Sequence, residues 1–365
     1  SAALFFVSAL APLLSFVSAQ QTCNITNPCG EEHACCSDFG FCSNDFCRGG
    51  CNPLRSFSPQ SCTPLPLCKD ATYTFPDISR IVNSTVFDGN ATAYDWTIDN
   101  TNMDMSEYLS ATNGELALFL SEKNGGTRIS STRYVHYGRV TATMKITGWA
   151  GVVSTFIGMS DAKDEIDWEF PGTSGASEAQ SNYFWLGVVD NSKPNGGKFD
   201  MSAGQYHDFT YDWSPDRLNY EIDGKVVHTL ERSKLVDKDG ITKYPSTPMR
   251  IQFSIWPAGI STATQGVIEW AGGMIDWNNA DYKAAGHFYV QIKKVQVQCN
   301  VAGELAPPAD ALSYVYGQNV SGNPSVSFSN QSSMTSAAPS AYVLGFRNLA
   351  PLAAAGLFAL AALAM

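Results

Sequence analysis

Residues 164–172 read Asp-Glu-Ile-Asp-Trp-Glu-Phe-Pro-Gly, and this stretch decides both the fold and the chemistry. Successive side chains of a β-strand point to opposite faces of the sheet. As a strand, the stretch would place three acidic residues on one face and three apolar residues on the other: Glu165, Asp167 and Glu169, against Ile166, Trp168 and Phe170. The apolar face suits a protein core, so the acidic face must look away from it.

Three carboxylates on one strand face repel one another, and the strand gains no stability from them. An exposed edge strand that resists aggregation would also carry such residues. The regular alternation and the fully apolar opposite face favour catalysis instead. Glycosidic cleavage needs two carboxyls: one attacks the anomeric carbon or activates water, and one protonates the leaving oxygen. Crowded negative charge raises the pKa of one of them and keeps that acid protonated.

Strand-like alternation continues through residues 70–300, for example in 138–146 and 207–213. Asp223-Gly224 has the composition of a two-residue hairpin turn between two such runs. About 230 residues of short strands separated by turn signals predict an all-β catalytic domain, a β-jelly-roll sandwich.

Nine of the ten cysteines lie between Cys23 and Cys68, and Cys299 stands alone. Such density predicts a disulfide framework, which forms in an oxidising compartment. We therefore expect a small disulfide-rich N-terminal module over residues 23–51. Residues 52–69 are rich in Pro and Ser and form a cross-linked linker to the large domain.

Both ends of the sequence predict secretion. Residues 1–19 are apolar and end in Val-Ser-Ala, as a cleaved signal peptide does; the alternative is a membrane anchor. Residues 301–338 are predicted to form a Ser/Ala/Pro-rich stalk, and residues 339–365 a glycosylphosphatidylinositol (GPI) signal that is removed. Ser336-Ala337-Ala338 and Asn330 are candidate attachment sites, and a transmembrane tail is the alternative. We expect a protein of the cell wall and the outer face of the plasma membrane.

The net charge of −11 argues against a nucleic-acid partner, because the chain would meet phosphate with like charge. Aromatic residues make up 12% of the chain, which fits a β-rich protein that stacks on sugar rings. We expect no cofactor and no metal, since the cysteines are better explained as disulfides. We also expect a monomer. Five sequons are candidate glycan sites: Asn24, Asn83, Asn90, Asn319 and Asn330.

The adjacent Cys35-Cys36 and the short aromatic loop after them resemble the hevein-like chitin-binding module, carbohydrate-binding module family 18. The resemblance implies a sugar site formed by Ser37, Phe39, Phe41 and Phe46, in which rings stack on a pyranose. Phe replaces the usual Trp or Tyr, and the alternative is that these rings are the core of the module. The resemblance also implies the pairs Cys23–Cys36, Cys29–Cys42 and Cys35–Cys47. For the remaining cysteines we expect Cys51–Cys62 and Cys68–Cys299, although the sequence alone leaves the connectivity open.

The motif Glu-Ile-Asp-Trp-Glu is similar to the active-site strand of glycoside hydrolase family 16, and the whole arrangement resembles the fungal Crh-type transglycosylases. These enzymes retain anomeric configuration, cleave chitin and transfer the fragment to β-glucan or chitin acceptors. The resemblance implies that Glu165 is the nucleophile, Asp167 the auxiliary acid and Glu169 the acid/base. It also implies that Gln252, Trp256 and Val267 line the substrate site together with Glu169. We expect Gln252 and Trp256 on one strand and Val267 on the next, with plain core positions as the alternative.

Three functions are therefore open. The first is a transglycosylase that cross-links the fungal cell wall, with chitin as donor. The second is an endo-hydrolase of chitin or β-glucan, with water as acceptor. The third is a non-enzymatic chitin-binding wall protein, which the intact row of acids argues against. The motif cannot separate the first two, because both share the first half-reaction; the resemblance favours transfer.

Overall fold

The computed structural model of the protein describes residues 21–99, 104–188, 196–300, 302–320 and 323–334. Its strands are β1 (Leu65–Pro66), β2 (Ala71–Tyr73), β3 (Ile81–Asn83), β4 (Trp96–Ile98), β5 (Leu109–Thr112), β6 (Glu115–Leu120), β7 (Thr127–Val135), β8 (Gly138–Lys145), β9 (Val152–Ser160), β10 (Glu165–Pro171), β11 (Glu178–Phe184), β12 (Gly197–Asp200), β13 (Tyr206–Trp213), β14 (Arg217–Ile222), β15 (Lys225–Glu231), β16 (Met249–Pro257), β17 (Phe288–Cys299), β18 (Ser313–Val320) and β19 (Asn323–Ser329). Its α-helices are α1 (Gln265–Trp270) and α2 (Ala280–Ala285). Short 3₁₀ helices span Glu31–His33, Asn44–Phe46, Pro59–Ser61, Met105–Glu107, Gly172–Ser174, Arg232–Lys234 and Gly303–Leu305.

Two large sheets stack to form a sandwich. The first has the strand order β12-β11-β10-β9-β16-β7-β4-β3, and the second has the order β15-β14-β13-β8-β17-β6-β5, with β2 also paired to β17. The pairs are antiparallel apart from β3 with β4. Neighbours that are far apart in sequence, such as β9 beside β16, are typical of a jelly roll. The predicted all-β sandwich is confirmed.

The core between the sheets explains why residues 165–171 form a strand. Ile166, Trp168 and Phe170 are buried in one continuous apolar cluster with residues of the second sheet. The indole Nε1 of Trp168 donates a hydrogen bond to the Thr210 carbonyl oxygen at 3.1 Å, so the one polar atom of this ring is satisfied. This packing fixes which face of β10 looks inward, and therefore which residues look outward.

Cross-links hold the small N-terminal module, where the apolar clusters consist mainly of cysteine. A segment this short buries too little apolar surface to fold without such links. The structure contains five disulfides: Cys23–Cys36, Cys29–Cys42, Cys35–Cys47, Cys51–Cys62 and Cys68–Cys299. All five are the expected pairs.

The predicted stalk is partly wrong. Within residues 301–338, β18 and β19 form a hairpin, and β18 also pairs with β1 of the linker. Tyr314 and Tyr316 are buried against Leu65, Tyr134 and Ala162. The composition of this segment suggested little to bury, but the two tyrosines supply enough apolar surface to dock the hairpin on the sandwich.

The terminal segments predicted as a signal peptide, 1–19, and as a GPI signal, 339–365, lie outside the described residues. So do the candidate attachment positions Ser336-Ala337-Ala338. Within the described ranges, no helix has the length and apolar character needed to cross a membrane.

Candidate active site

β10 is an interior strand, paired with β9 on one side and β11 on the other. Its acidic residues therefore do not form an exposed sheet edge, which was the structural alternative. Glu165, Asp167 and Glu169, hereafter the carboxylate row, lie on the face opposite the core residues, as the alternation predicts. Asp167 and Glu169 are nevertheless 0% and 1% exposed, and only Glu165 is partly exposed. Acids this deeply covered belong to a recessed site.

The neighbouring strands contribute polar side chains to the sheet face that carries the carboxylate row. On β11, Asn182 lies opposite Asp167 and Gln180 lies opposite Glu169. On β9, Thr155 lies opposite Glu169, and its hydroxyl is 2.6 Å from that of Ser254 on β16. Side chains directly opposite in antiparallel strands are close neighbours on the same face. Hydroxyl and amide groups thus border the Glu169 end of the row, whereas Met159 and Phe184 lie opposite Glu165.

Asp167, in the middle of the row, has the most perturbed environment. Neither of its buried carboxyl oxygens has a hydrogen-bond donor in the described structure. Burial raises the pKa of Asp167 well above its usual value, and the charges of Glu165 and Glu169 raise it further. The Asp167 and Glu165 carboxyls interact directly. The interaction raises the pKa of Asp167 and lowers that of Glu165, so it favours a proton on Asp167 and the ionised form of Glu165.

The two glutamates differ in the groups that act on them. Burial raises the pKa of Glu165, while the contact with Asp167 and the charges of Lys163 and Arg128 oppose that rise. Burial raises the pKa of Glu169 to about 8, the Glu165 charge adds to this, and a hydrogen bond with Asn182 opposes it. At neutral pH Glu169 therefore keeps its proton, while nearby cations favour the ionised form of Glu165. The two glutamates thus lie in different electrostatic surroundings, which is how enzymes separate the roles of two like acids.

Asp164 fixes the beginning of the strand. Its buried carboxylate accepts hydrogen bonds from the backbone N–H groups of Leu186, Ser246 and Thr247 at 2.8–3.0 Å, and from the Thr247 hydroxyl at 2.7 Å. Burial raises the pKa of Asp164 to about 6, and these hydrogen bonds hold it from rising further. Two loops are thereby tied to the residue before Glu165, which preorganises the position of the carboxylate row.

Gln252 and Trp256 lie on one strand, β16, as predicted. Gln252 is in register with Ile157 of β9, which is itself opposite Asp167, so the amide lies on the face of the carboxylate row two strands away. Its Nε2 donates to the Ser130 hydroxyl at 3.0 Å, and its Oε1 is a buried acceptor without a donor in the described structure. An unused buried acceptor on this face is available to a sugar hydroxyl.

The prediction that Val267 lies on a strand is wrong. It lies on α1 and is buried against Trp256 in a small apolar cluster separate from the main core. Trp270, at the end of α1, was not predicted: its ring centroid is 6.2 Å from that of Trp256, and its Nε1 donates to the Gln180 Oε1 at 3.0 Å. Gln180 in turn lies opposite Glu169. The helix thus brings a half-buried indole toward the Glu169 end of the row.

The predicted sugar site of the small module is only partly exposed. Phe39 and Phe41 are 40% and 37% exposed, large values for such rings. Ser37 is buried, and its hydroxyl accepts a hydrogen bond from the Phe41 backbone N–H at 3.2 Å. Phe46 packs partly against the disulfide cluster. Two rings are therefore available for stacking on a sugar, whereas Ser37 and Phe46 are engaged within the module.

Metal-ligating residues come close together in one place within the described ranges, at Cys23, Cys29 and Cys36. All three sulfurs are in disulfides and offer no thiolate. This cluster is therefore structural.

Comparison with known proteins gives a consistent result. The sequence pattern of "Glycosyl hydrolases family 16" matches residues 90–272 and thus includes the carboxylate row. The chain is 35% identical to Crh-like protein 2 of Aspergillus fumigatus over 334 residues, which is 90% of this chain and 73% of that protein. It is 35% identical to Congo red hypersensitive protein 2 of Saccharomyces cerevisiae over 318 residues, 84% of this chain and 66% of that protein.

A solved structure described as "Crh5 transglycosylase in complex with NAG" matches with a TM-score of 0.57 and 28% identity. The match covers 76% of this chain and all of that one. The family match over residues 90–272 runs from before β4 to just after α1, so it includes strands of both sheets.

Proposed function

Because the chain belongs to glycosyl hydrolase family 16 and to its Crh-like proteins, we propose that it cleaves chitin and transfers the released fragment to β-glucan or chitin. The observation that carries the proposal is the carboxylate row, in which Glu165 and Glu169 share one face but lie in different electrostatic surroundings. The structure of a similar Crh5 transglycosylase with NAG supports an amino sugar as substrate. Cross-linking of the fungal cell wall would be the biological result.

In the proposed reaction, the Glu165 carboxylate attacks the anomeric carbon while Glu169 protonates the leaving oxygen, which gives a covalent glycosyl-enzyme. Asp167 donates a hydrogen bond to Glu165 and orients it. The ionised Glu169 then removes a proton from the acceptor hydroxyl as that oxygen displaces Glu165 from the sugar. An acceptor hydroxyl from another sugar chain gives transfer, and water gives hydrolysis.

Chitin as donor is supported by the exposed Phe39 and Phe41 of the small module, which offer flat surfaces to a pyranose. In the large domain, Gln252 and Trp256 lie on the face of the carboxylate row. Attachment by a GPI anchor to the outer face of the plasma membrane is a proposal from the terminal sequences alone. We also propose that the enzyme is monomeric and acts at the cell wall.

The test incubates the protein with chitin oligomers and a fluorescently labelled β-glucan oligomer. Labelled products longer than the acceptor show transfer, and we expect Glu165→Gln and Glu169→Gln to abolish them while binding to insoluble chitin persists. Glu231→Gln, an exposed site on β15, makes the same chemical change away from the row and should leave transfer intact. Shortened donor without labelled product would mean hydrolysis. Full turnover in either row variant would refute the mechanism.

A further inference from the structure

The small module contacts the large domain beside the nucleophile end of the carboxylate row. Asp38, between the predicted sugar-site residues Ser37 and Phe39, forms an ion pair with Lys163, which lies two residues before Glu165. Only 14% of the Asp38 side chain and 16% of the Lys163 side chain are exposed. A covered ion pair contributes more to position than a solvated one, because water screens it less.

The chain around this ion pair is closely packed. The backbone N–H of Gly50 donates to the Asp161 carboxylate at 3.0 Å, so the module has a second polar contact with the loop between β9 and β10. A Cβ atom at Gly50 would lie 2.4 Å from the Asp38 Oδ2, and the φ angle of +83° also requires glycine. The module thus meets the loop through two polar contacts, and Gly50 packs closely against Asp38 within the module.

The same cations act on Asp38 and on Glu165. Burial alone would raise the pKa of Asp38, but Lys163, Arg128 and Arg250 together hold it below its usual value. Lys163 and Arg128 also favour the ionised form of Glu165. Asp38 and the nucleophile thus share two positive neighbours, one on the loop before β10 and one on β7.

We propose that Asp38 is a positioning residue of the active site, through which the small module holds Lys163 in place and balances the positive charge beside Glu165. This inference rests on the proposed function, since it gives Glu165 the role of nucleophile. The module then does more than carry a sugar surface: it supplies one charge of the catalytic environment.

The groups that face Glu165 define the expected direction of the effect. They are Asp167 and Glu169 on the same strand, Lys163 on the preceding loop, and Arg128 on β7, which is itself paired with Asp99. Asp38→Asn removes the negative charge that offsets the two cations, so the ionised form of Glu165 becomes more favourable. Lys163→Met removes one of the cations, so that form becomes less favourable.

The experiment measures kcat/KM for transfer from soluble chitin oligomers against pH, because its acidic limb reports ionisation of the nucleophile in the free enzyme. We expect the acidic limb of Asp38→Asn to move down by about 0.5–1 pH unit and that of Lys163→Met to move up by a similar amount. Asp38→Glu keeps the negative charge, so its acidic limb should lie close to that of the unaltered protein. Asp45→Asn makes the same change on an exposed carboxyl of the module and should leave the limb unchanged.

Opposite shifts from the two partners support the proposal, since mere loosening of the interface would move both variants in the same direction. Unchanged limbs, or shifts of the same sign, would overturn it. If Asp38→Asn fails to fold by circular dichroism, Lys163→Met decides alone: an upward shift supports the proposal, and no shift or a downward one overturns it. If the unaltered protein shows no transfer, or if Glu165→Gln is active, the proposed function is refuted instead.

Discussion

The two ends of β10 carry the same residue type in different surroundings. At the Glu165 end the side chain is partly exposed, with Lys163 and Arg128 nearby and the small module behind Lys163. At the Glu169 end the side chain is buried, and the groups that act on it are the Glu165 charge and the Asn182 amide. Neighbouring groups, rather than residue type, therefore give two chemically equal acids different surroundings.

The largest effects are expected when each glutamate of the row is removed and an external nucleophile is supplied in its place. We expect Glu169→Gly to lower transfer by about 10²–10⁴-fold, as for loss of a general acid/base. Glu165→Gly should lower it by about 10⁴–10⁶-fold, because no covalent intermediate forms.

Added azide and a donor with a good leaving group then show which acid has which role. In Glu165→Gly, azide attacks in place of the missing nucleophile and gives a glycosyl azide of inverted configuration. In Glu169→Gly, azide attacks the glycosyl-enzyme and gives the retained configuration. NMR of the anomeric proton distinguishes the two, and exchanged outcomes would reverse the assignment of roles.

The two glutamates should each limit activity on a different side of the pH profile. Glu169 must be protonated to act as the acid, so kcat/KM should fall as the pH rises through about 8, the value to which burial raises its pKa. Glu165 must be ionised, so kcat/KM should also fall on the acidic side, at a pH above the ordinary pKa of a glutamate. A bell-shaped profile measured at constant ionic strength is expected. Activity that persists well above pH 9 would mean that Glu169 is not the acid.

Replacing Asp167, in the middle of the carboxylate row, should change activity and stability in opposite directions. A carboxyl whose pKa is raised by folding contributes stability that is fully present below the ordinary pKa of an aspartate and is lost progressively as the pH rises from there to the raised value. Asp167→Asn should therefore increase Tm at pH 7 by several degrees, at about 2–4 °C per kcal/mol for a domain of this size. The gain should vanish near pH 3, while transfer falls at every pH. Differential scanning fluorimetry at the two pH values provides the check, and a lower Tm at pH 7 would contradict the raised pKa.

The smallest expected effect lies at the Glu169 end. Gln180→Leu removes the acceptor for the Trp270 indole while keeping a similar volume. Loss of one hydrogen bond of about 0.5–1.5 kcal/mol predicts a KM about 2- to 12-fold higher, with kcat nearly unchanged. Gln265→Leu, whose side chain bonds Glu269 on the exposed side of the same helix, is the matched control. A fall in kcat with KM unchanged would place Gln180 in the chemical step instead.

Much of the fold was predictable from the sequence because period-2 alternation reports a half-buried strand directly. The alternation in 164–172 correctly placed three acids on one face and three apolar residues in the core. It failed at Val267, where a two-turn helix of six residues is too short for its periodicity to differ from that of a strand. At β18 the alternation of Tyr314 and Tyr316 is short and lies within a polar composition, which suggested a stalk.

The carboxylate row was predictable, but its electrostatic surroundings were not. Lys163 and Asp38 are 125 residues apart and belong to different modules, so no local pattern could pair them. Gln180 and Asn182 are polar residues of a strand that shows alternation, and a search of the strand next to the motif could have found them. Trp270 lies in the same helix as Val267, which the sequence predicted as a strand. Its contact with Gln180 depends on the helical conformation and could not be predicted.

The bridge between Cys68 and Cys299 has a mechanical consequence. It links a residue just before β2 to the last residue of β17, so nearly the whole sandwich lies inside one covalent ring. Tension applied to the chain outside these two cysteines passes through the sulfur–sulfur bond and not through the hydrogen bonds of the sheets. A protein pulled from both sides by an expanding polymer network would thus keep its carboxylate row in register while the segments outside the ring extend.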